Sequence, residues 1–255
     1  MYPDLFGIDN FSYVLMIVIG VCTSIFWLVY YFKRRGYSRN LIIDLIACTF
    51  FTIALGIVGA TLFQNLYDLI KDPENYEFTF SMTFYGGLIV GTIVFILLFK
   101  FYVQKHNDVP FKDVAIVAPI CITSAHAFGR IGCFLAGCCY GKHTDSCIGV
   151  DFPGIGTRIP TQLIESIFLF ILTVVLFFLI FKIKFEYTLH TYLAAYSIFR
   201  FIIEFFRGDD GRGAAILGMY PSQFVCMFIW IIFVPTLLIL KKYAFNKKTE
   251  ENDKE

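Results

Sequence analysis

The run His126-Ala127-Phe128-Gly129-Arg130-Ile131-Gly132-Cys133-Phe134-Leu135-Ala136-Gly137-Cys138-Cys139-Tyr140-Gly141-Lys142 continues an apolar segment that begins near Val114, yet it carries a histidine, an arginine and three cysteines. Read as a helix, it puts His126, Arg130, Cys133 and Gly137 at i, i+4, i+7 and i+11, on one face. Ala125, Ala127, Gly129, Gly132 and Ala136 keep the helix slim, as in a membrane helix pressed against its neighbours. An arginine in such a span is costly to insert. Either it faces a polar cavity and acts there, or it snorkels from the helix end to the surface.

Composition extends the membrane reading to the whole chain. Of 255 residues, 58% are hydrophobic, 31 are Phe and 16% are charged, against about 25% charged in a soluble domain. Mean hydropathy is +0.70. The first apolar run follows Asp4 and Asp9 rather than a basic segment, and no small-residue cleavage site ends it, which argues against a cleaved signal peptide. A net charge of +1 without a basic, aromatic-interleaved patch gives no reason to expect nucleic acid as a partner.

Apolar runs of spanning length recur at 11–32, 41–63, 83–103, 113–139, 163–183, 188–206 and 216–240. Lys33, Arg34, Arg35, Arg39, Lys100, Lys105, Lys112, Lys182, Lys184, Lys241 and Lys242 cluster in alternate connections, while the others are acidic or mixed. The positive-inside rule then predicts an all-α bundle of seven transmembrane helices, N-terminus outside and C-terminus cytoplasmic. One transmembrane catalytic domain over 1–242 and a charged, disordered cytoplasmic tail over 243–255 are expected.

With that topology the polar residues fall in one layer near the outer surface. Tyr13, Tyr85, Gln162, Glu165, Arg207, Ser222 and Gln223 lie at outer helix ends. At the rise of an α-helix, Arg200 sits roughly 10 Å below Arg207 and Arg130 roughly 12 Å below Cys138. Arg200 and Glu204 form an i, i+4 pair that is either a self-neutralising strut or a phosphate-binding arginine aligned by its carboxylate. Gly87 and Gly91 make a helix-packing spacing, and Tyr85 beside them suits an interfacial belt. Cys133, Cys138, Cys139 and Cys147 allow a metal site, a disulfide involving Cys147, or unconnected residues; the spacing is not C-x-x-C.

These residues carry a resemblance to the prolipoprotein diacylglyceryl transferase family, over nearly the whole chain. It runs through Tyr13, Phe84-Tyr85-Gly86-Gly87-Leu88-Ile89, Gly129-Arg130-Ile131-Gly132-Cys133-Phe134, Pro160-Thr161-Gln162-Leu163-Ile164-Glu165, Arg200-Phe201-Ile202-Ile203-Glu204-Phe205-Phe206-Arg207 and Ser222-Gln223. The resemblance implies a bacterial inner-membrane enzyme, with its site facing outward, that moves the diacylglyceryl group of phosphatidylglycerol onto the cysteine thiol of a prolipoprotein. It implies no cofactor and no metal. Arg130, Arg200, Glu204, His126 and Tyr85 become the candidate catalytic residues, and Tyr13, Gly86, Gly87, Cys133, Gln162 and Arg207 the candidate substrate-binding ones. The chain also departs from the family pattern: tyrosine (Tyr85) replaces a histidine, Cys133 and Ala136 replace asparagines, Cys138 replaces a glutamate, and Thr61 replaces an arginine. Phosphate handling is thus retained and thiol handling altered. Two other classes stay open: a non-catalytic lipid- or peptide-binding paralogue, and an outer-face thiol-redox membrane protein.

Overall fold

The structure, a computed structural model, describes residues 11–74, 76–209, 217–232 and 235–236. Helices dominate it: α1 (Phe11–Arg34), α2 (Arg39–Lys71), α3 (Phe84–Leu98), α4 (Phe111–Ala136), α5 (Thr161–Phe178), α6 (Thr188–Glu204) and α7 (Pro221–Ile232). Helices α3 and α5 run on through wider turns at Phe99–Val103 and Leu179–Ile183. Among the described residues, five helices are long and apolar enough to cross a membrane: α1, α2, α4 and the extended α3 and α5. The sixth expected span, α6, is only 17 residues long and includes Arg200 and Glu204. The last expected span lies partly outside the described residues, and the tail lies wholly outside them.

The expected end of α4 at residue 139 moves back to Ala136. Gly137 takes φ +74°, and its N–H donates to the Phe134 carbonyl at 3.1 Å, closing the helix with a left-handed cap. The segment from here to α5 is not helical. Strands β1 (Val150–Phe152) and β2 (Gly156–Arg158) form an antiparallel hairpin, and isolated bridges join Gly141 to Arg207 and His143 to Arg158. This small β cap is absent from the sequence-based expectation, because three-residue strands carry too little alternation to read.

The chain divides into two compact units. The first comprises residues 1–27 and 114–255. In it the Ser166 hydroxyl donates to the Ala127 carbonyl at 2.9 Å, and Thr173 pairs with Thr123 at 2.9 Å, tying α5 to α4. Such interhelical bonds contribute about 0.6 kcal/mol each in a membrane. Phe168 stacks on Phe199 at 4.0 Å, joining α5 to α6, and the Trp230 indole donates to Ser197, joining α7 to α6.

The second unit comprises residues 28–113. Here α2 and α3 approach through small residues: a Cβ on Gly86 would lie 2.5 Å from the Phe63 Cβ, and one on Gly87 3.3 Å from the Gly56 carbonyl oxygen. Beyond α1, Arg35 and Tyr37 bond to the buried carboxylate of Asp113, Arg35 at 3.0 Å.

Candidate active site

The first unit gathers charge around one carboxylate. Glu165, on the first turns of α5, is 2% exposed. Its Oε2 lies 3.0 Å from Arg130 Nε and 3.5 Å from Arg200 Nη1, and its Oε1 accepts the Tyr196 hydroxyl at 2.8 Å. His126 Nε2 is 3.7 Å from the same Oε1, and its ring meets Tyr196 edge to face at 5.3 Å. Helix periodicity builds the arrangement. His126 and Arg130 are one turn apart on α4, and Tyr192, Tyr196, Arg200 and Glu204 repeat at i+4 along α6. Two guanidinium groups and a phenol surround this carboxylate, and the opposite charges offset one another's burial.

Arg130 and Arg200 differ in what remains free. Arg200 is tied at both ends, by Nη1 to Glu165 and by Nη2 to Glu204 at 2.7 Å. Arg130 Nε comes within 3.0 Å of Glu165 as an ion pair without an aligned hydrogen bond, and its Nη1 and Nη2 groups donate to no described residue. Ion-paired with Glu165 and with the fork end open, Arg130 is placed to grip an anion with two parallel N–H groups. Arg200 instead aligns the carboxylates.

Glu204 stands between Arg200 and Arg207, the latter at 3.8 Å. Arg207 lies past the end of α6 and makes a two-pronged pair with Asp209, at 2.9 and 2.6 Å. Burial opposes its charge, but the hydrogen bonds and charge of Asp209 outweigh that and hold it above the ordinary arginine range. The Arg207 backbone is also part of the cap, through its bridge to Gly141. A Cβ on Gly208 would lie 2.5 Å from the Gly141 carbonyl oxygen, so only glycine permits the two segments to approach this closely.

The cap fixes the cysteine segment over the cluster. Thr161 Oγ1 donates to the Cys139 carbonyl at 3.0 Å, and Gln162 Nε2 to the Cys138 carbonyl. Gln162, expected to meet substrate, is thus an anchor for this turn, with its Oε1 buried and unpaired among the described residues. Cys139 has φ +63°, unusual for a residue with a side chain, and this turns its thiol back toward α4. The Sγ atoms of Cys133, Cys138 and Cys139 lie within 4.8 Å of one another. Hydrogen bonds from Cys133 and Cys138, then Arg130 and Arg207, hold the Cys139 thiol below the ordinary thiol range; hydrogen bonds with Cys133 and Cys139, then burial, push Cys138 above it. Cys147 is exposed, and neither it nor any other cysteine among the described residues is in a disulfide.

Tyr13 lies within electrostatic reach of Arg130 and of the three thiols, and its ring approaches where Gly132 has no side chain. The first unit therefore brings together Tyr13, His126, Arg130, Cys133, Gln162, Arg200, Glu204 and Arg207. Tyr85, Gly86 and Gly87 belong to the second unit. Sequence reading places Glu165 in the layer without giving it the centre, and it misses Tyr196 and Asp209. The four-residue spacing from Tyr192 to Glu204 is the signal that could have found Tyr196.

Comparison with known proteins decides the family. Residues 4–239 match the prolipoprotein diacylglyceryl transferase family. The chain belongs to that family. It is 35% identical over 242 residues to the phosphatidylglycerol–prolipoprotein diacylglyceryl transferase of Clostridium tetani, covering 90% of this chain and 92% of the relative. Transferase 2 of Clostridium perfringens is 32% identical over 241 residues, covering 89% and 90%. The Geobacter sulfurreducens transferase is 29% identical over 248 residues, covering 89% of each chain.

Proposed function

We propose that this family member is a phosphatidylglycerol–prolipoprotein diacylglyceryl transferase of the bacterial cytoplasmic membrane, with its site toward the outer face. The observation that carries the reading is Arg130, ion-paired with buried Glu165 and with its fork end open. The lipid phosphate docks on Nη1 and Nη2. The acceptor thiol gives up its proton, its sulfur bonds to the glyceryl carbon, and the carbon–oxygen bond to phosphate breaks. The electron pair leaves with glycerol phosphate, and Arg130 stabilises the charge that gathers there. Glu165, Glu204 and Tyr196 keep the two arginines aligned and act as positioning residues.

A free thiol has a pKa near 8.5, so the reaction needs a base or a field that favours thiolate. His126 is the nearest candidate base, and its ring is oriented by Glu165 and Tyr196. Glu204 is less suited, because it is already paired with Arg200 and Arg207. For Tyr85, Gly86 and Gly87 the family resemblance is the support. The seven-span topology, with the N-terminus outside, rests on the alternation of basic connections.

The test is genetic. A bacterium is depleted of its principal diacylglyceryl transferase and supplied with this chain. The reading expects lipidation of a reporter prolipoprotein to return, and to fail with Arg130→Ala. A wild-type chain that reaches the membrane and restores nothing would refute it.

A further inference from the structure

Phosphate docking and transfer as described make no use of Cys133, Cys138 and Cys139, yet the backbone gathers their thiols closely beside the site. Cys133 ends the buried face of α4 that carries Arg130, seven residues after His126. The helix then stops at Ala136, and two left-handed residues, Gly137 and Cys139, fold the chain back on itself. Carbonyl bonds to Thr161 and Gln162 pin Cys138 and Cys139 to the start of α5. Three sulfurs from a five-residue separation and an adjacent pair thus meet within 4.8 Å. A disulfide needs two cysteines, not three, and an apolar packing role needs no left-handed cysteine.

We propose that Cys133, Cys138 and Cys139 form a three-thiolate site for a zinc ion, and that its open fourth position takes the acceptor thiol. In a tetrahedral site with Zn–S of about 2.3 Å, sulfurs sit about 3.8 Å apart. The three sulfurs lie within 4.8 Å of one another, so the longest separation exceeds that spacing by about 1 Å. Thiolate is the ligand type zinc prefers, and three protein ligands with one open position is the pattern of reactive rather than structural zinc sites. Three thiolates on a divalent ion carry one negative charge, and a bound acceptor thiolate makes it two. Arg130 and Arg207, both within electrostatic reach of Cys139, offset that charge.

The zinc role rests on the transferase reading and deepens it. Coordination to zinc deprotonates a thiol outright, so the acceptor would arrive as thiolate at neutral pH without a strong base. The proton goes to solvent, which reaches the cluster at the exposed Cys138. The sulfur leaves zinc as it bonds to the glyceryl carbon, the carbon–oxygen bond to phosphate breaks, and glycerol phosphate departs with the electron pair. Zinc keeps its charge and three ligands, and no oxidant or reductant is consumed.

The test uses the full chain purified in detergent without chelator. Elemental analysis should find one zinc per chain, and Cys139→Ser should lower metal content at least about tenfold. Cys147→Ser, an exposed cysteine outside the cluster, should change nothing. Cobalt exchanged into the wild-type protein should show thiolate-to-cobalt absorption, and adding a peptide with one cysteine should intensify it, whereas the serine peptide should not. Because these readouts use the wild-type protein, they hold even if Cys139→Ser folds poorly. Protein that carries no zinc and does not take up cobalt, with three reactive thiols or with a disulfide among them, overturns the proposal. If such metal-free protein still transfers lipid, the transferase reading stands without it. If zinc is bound through Cys139 but no transfer occurs while the Clostridium tetani relative works alongside, the thiol-activating role and the transferase reading fall together.

Discussion

Replacing Arg130 by lysine separates charge from geometry at the centre of the site. The lysine Nζ falls where the arginine Cζ stands, so it stops one C–N bond, about 1.3 Å, short of the Nη positions. Its Cε takes the Nε position, 3.0 Å from Glu165 in the native site, and the adjoining ammonium keeps a positive charge beside that carboxylate. What is lost is the open fork, two N–H groups aimed at the phosphate. A hydrogen bond to a charged group is worth about 1.5–3 kcal/mol. Losing one in full and part of the other makes a barrier increase of about 3–4 kcal/mol, or a rate loss of about 10²–10³. The assay is initial transfer rate to a lipobox peptide in phosphatidylglycerol micelles, with a thermal melt in parallel. The melt should barely move, since the ion pair with Glu165 survives. Transfer by Arg130→Lys within about threefold of wild type, at this sensitivity, would show that the fork does not hold the phosphate in the transition state.

The same geometry sets three further outcomes. Glu165→Gln leaves Arg130 and Arg200 buried without their shared carboxylate; breaking such a pair costs about 3–5 kcal/mol. At about 2–4 °C per kcal/mol, a drop near 10 °C in the melt is expected, and an unchanged melting temperature would show that the arginines do not depend on it. Gly208→Ala drives a Cβ into the Gly141 carbonyl, and overpacking of this kind costs about 1–3 kcal/mol; faster maleimide labelling of Cys138 and Cys139 would report the loosened cap, and unchanged labelling would count against it. At Tyr37, partial burial and its hydrogen bond to Asp113 push the phenol up from 10.0 to about 12. A raised folded pKa gives stability that is whole below pH 10 and lost as pH rises through 12. Melts at rising pH should show that fall in wild type and much less of it in Tyr37→Phe.

Sequence alone reaches Arg130, Arg200, Glu204 and His126, because charges within apolar helices have few roles and helical spacing gives their faces. The division of labour between the two arginines is not legible there. It depends on Glu165, whose partners lie 35 residues away on one side and 35 on the other. Tyr196 is hidden by its type, since tyrosine is common at membrane surfaces. The meeting of the three cysteines depends on where α4 stops and on a left-handed Cys139, neither of which spacing reveals. Gly86 and Gly87, read as substrate contacts, are packed against α2. The spans differ in α6, where the residues that serve the site also shorten the apolar helix.

The most direct measurement is transfer itself. The purified full chain is placed in vesicles of phosphatidylglycerol, and in parallel in vesicles of phosphatidylethanolamine, with a lipobox peptide bearing one cysteine. Mass spectrometry follows the peptide, and a phosphate ester assay follows the water phase. The account predicts a thioether-linked diacylglyceryl group on the cysteine in the first vesicles, with an equal amount of glycerol phosphate released, and neither product in the second. An unmodified peptide in phosphatidylglycerol vesicles, under conditions in which the Clostridium tetani transferase modifies it, would contradict the account.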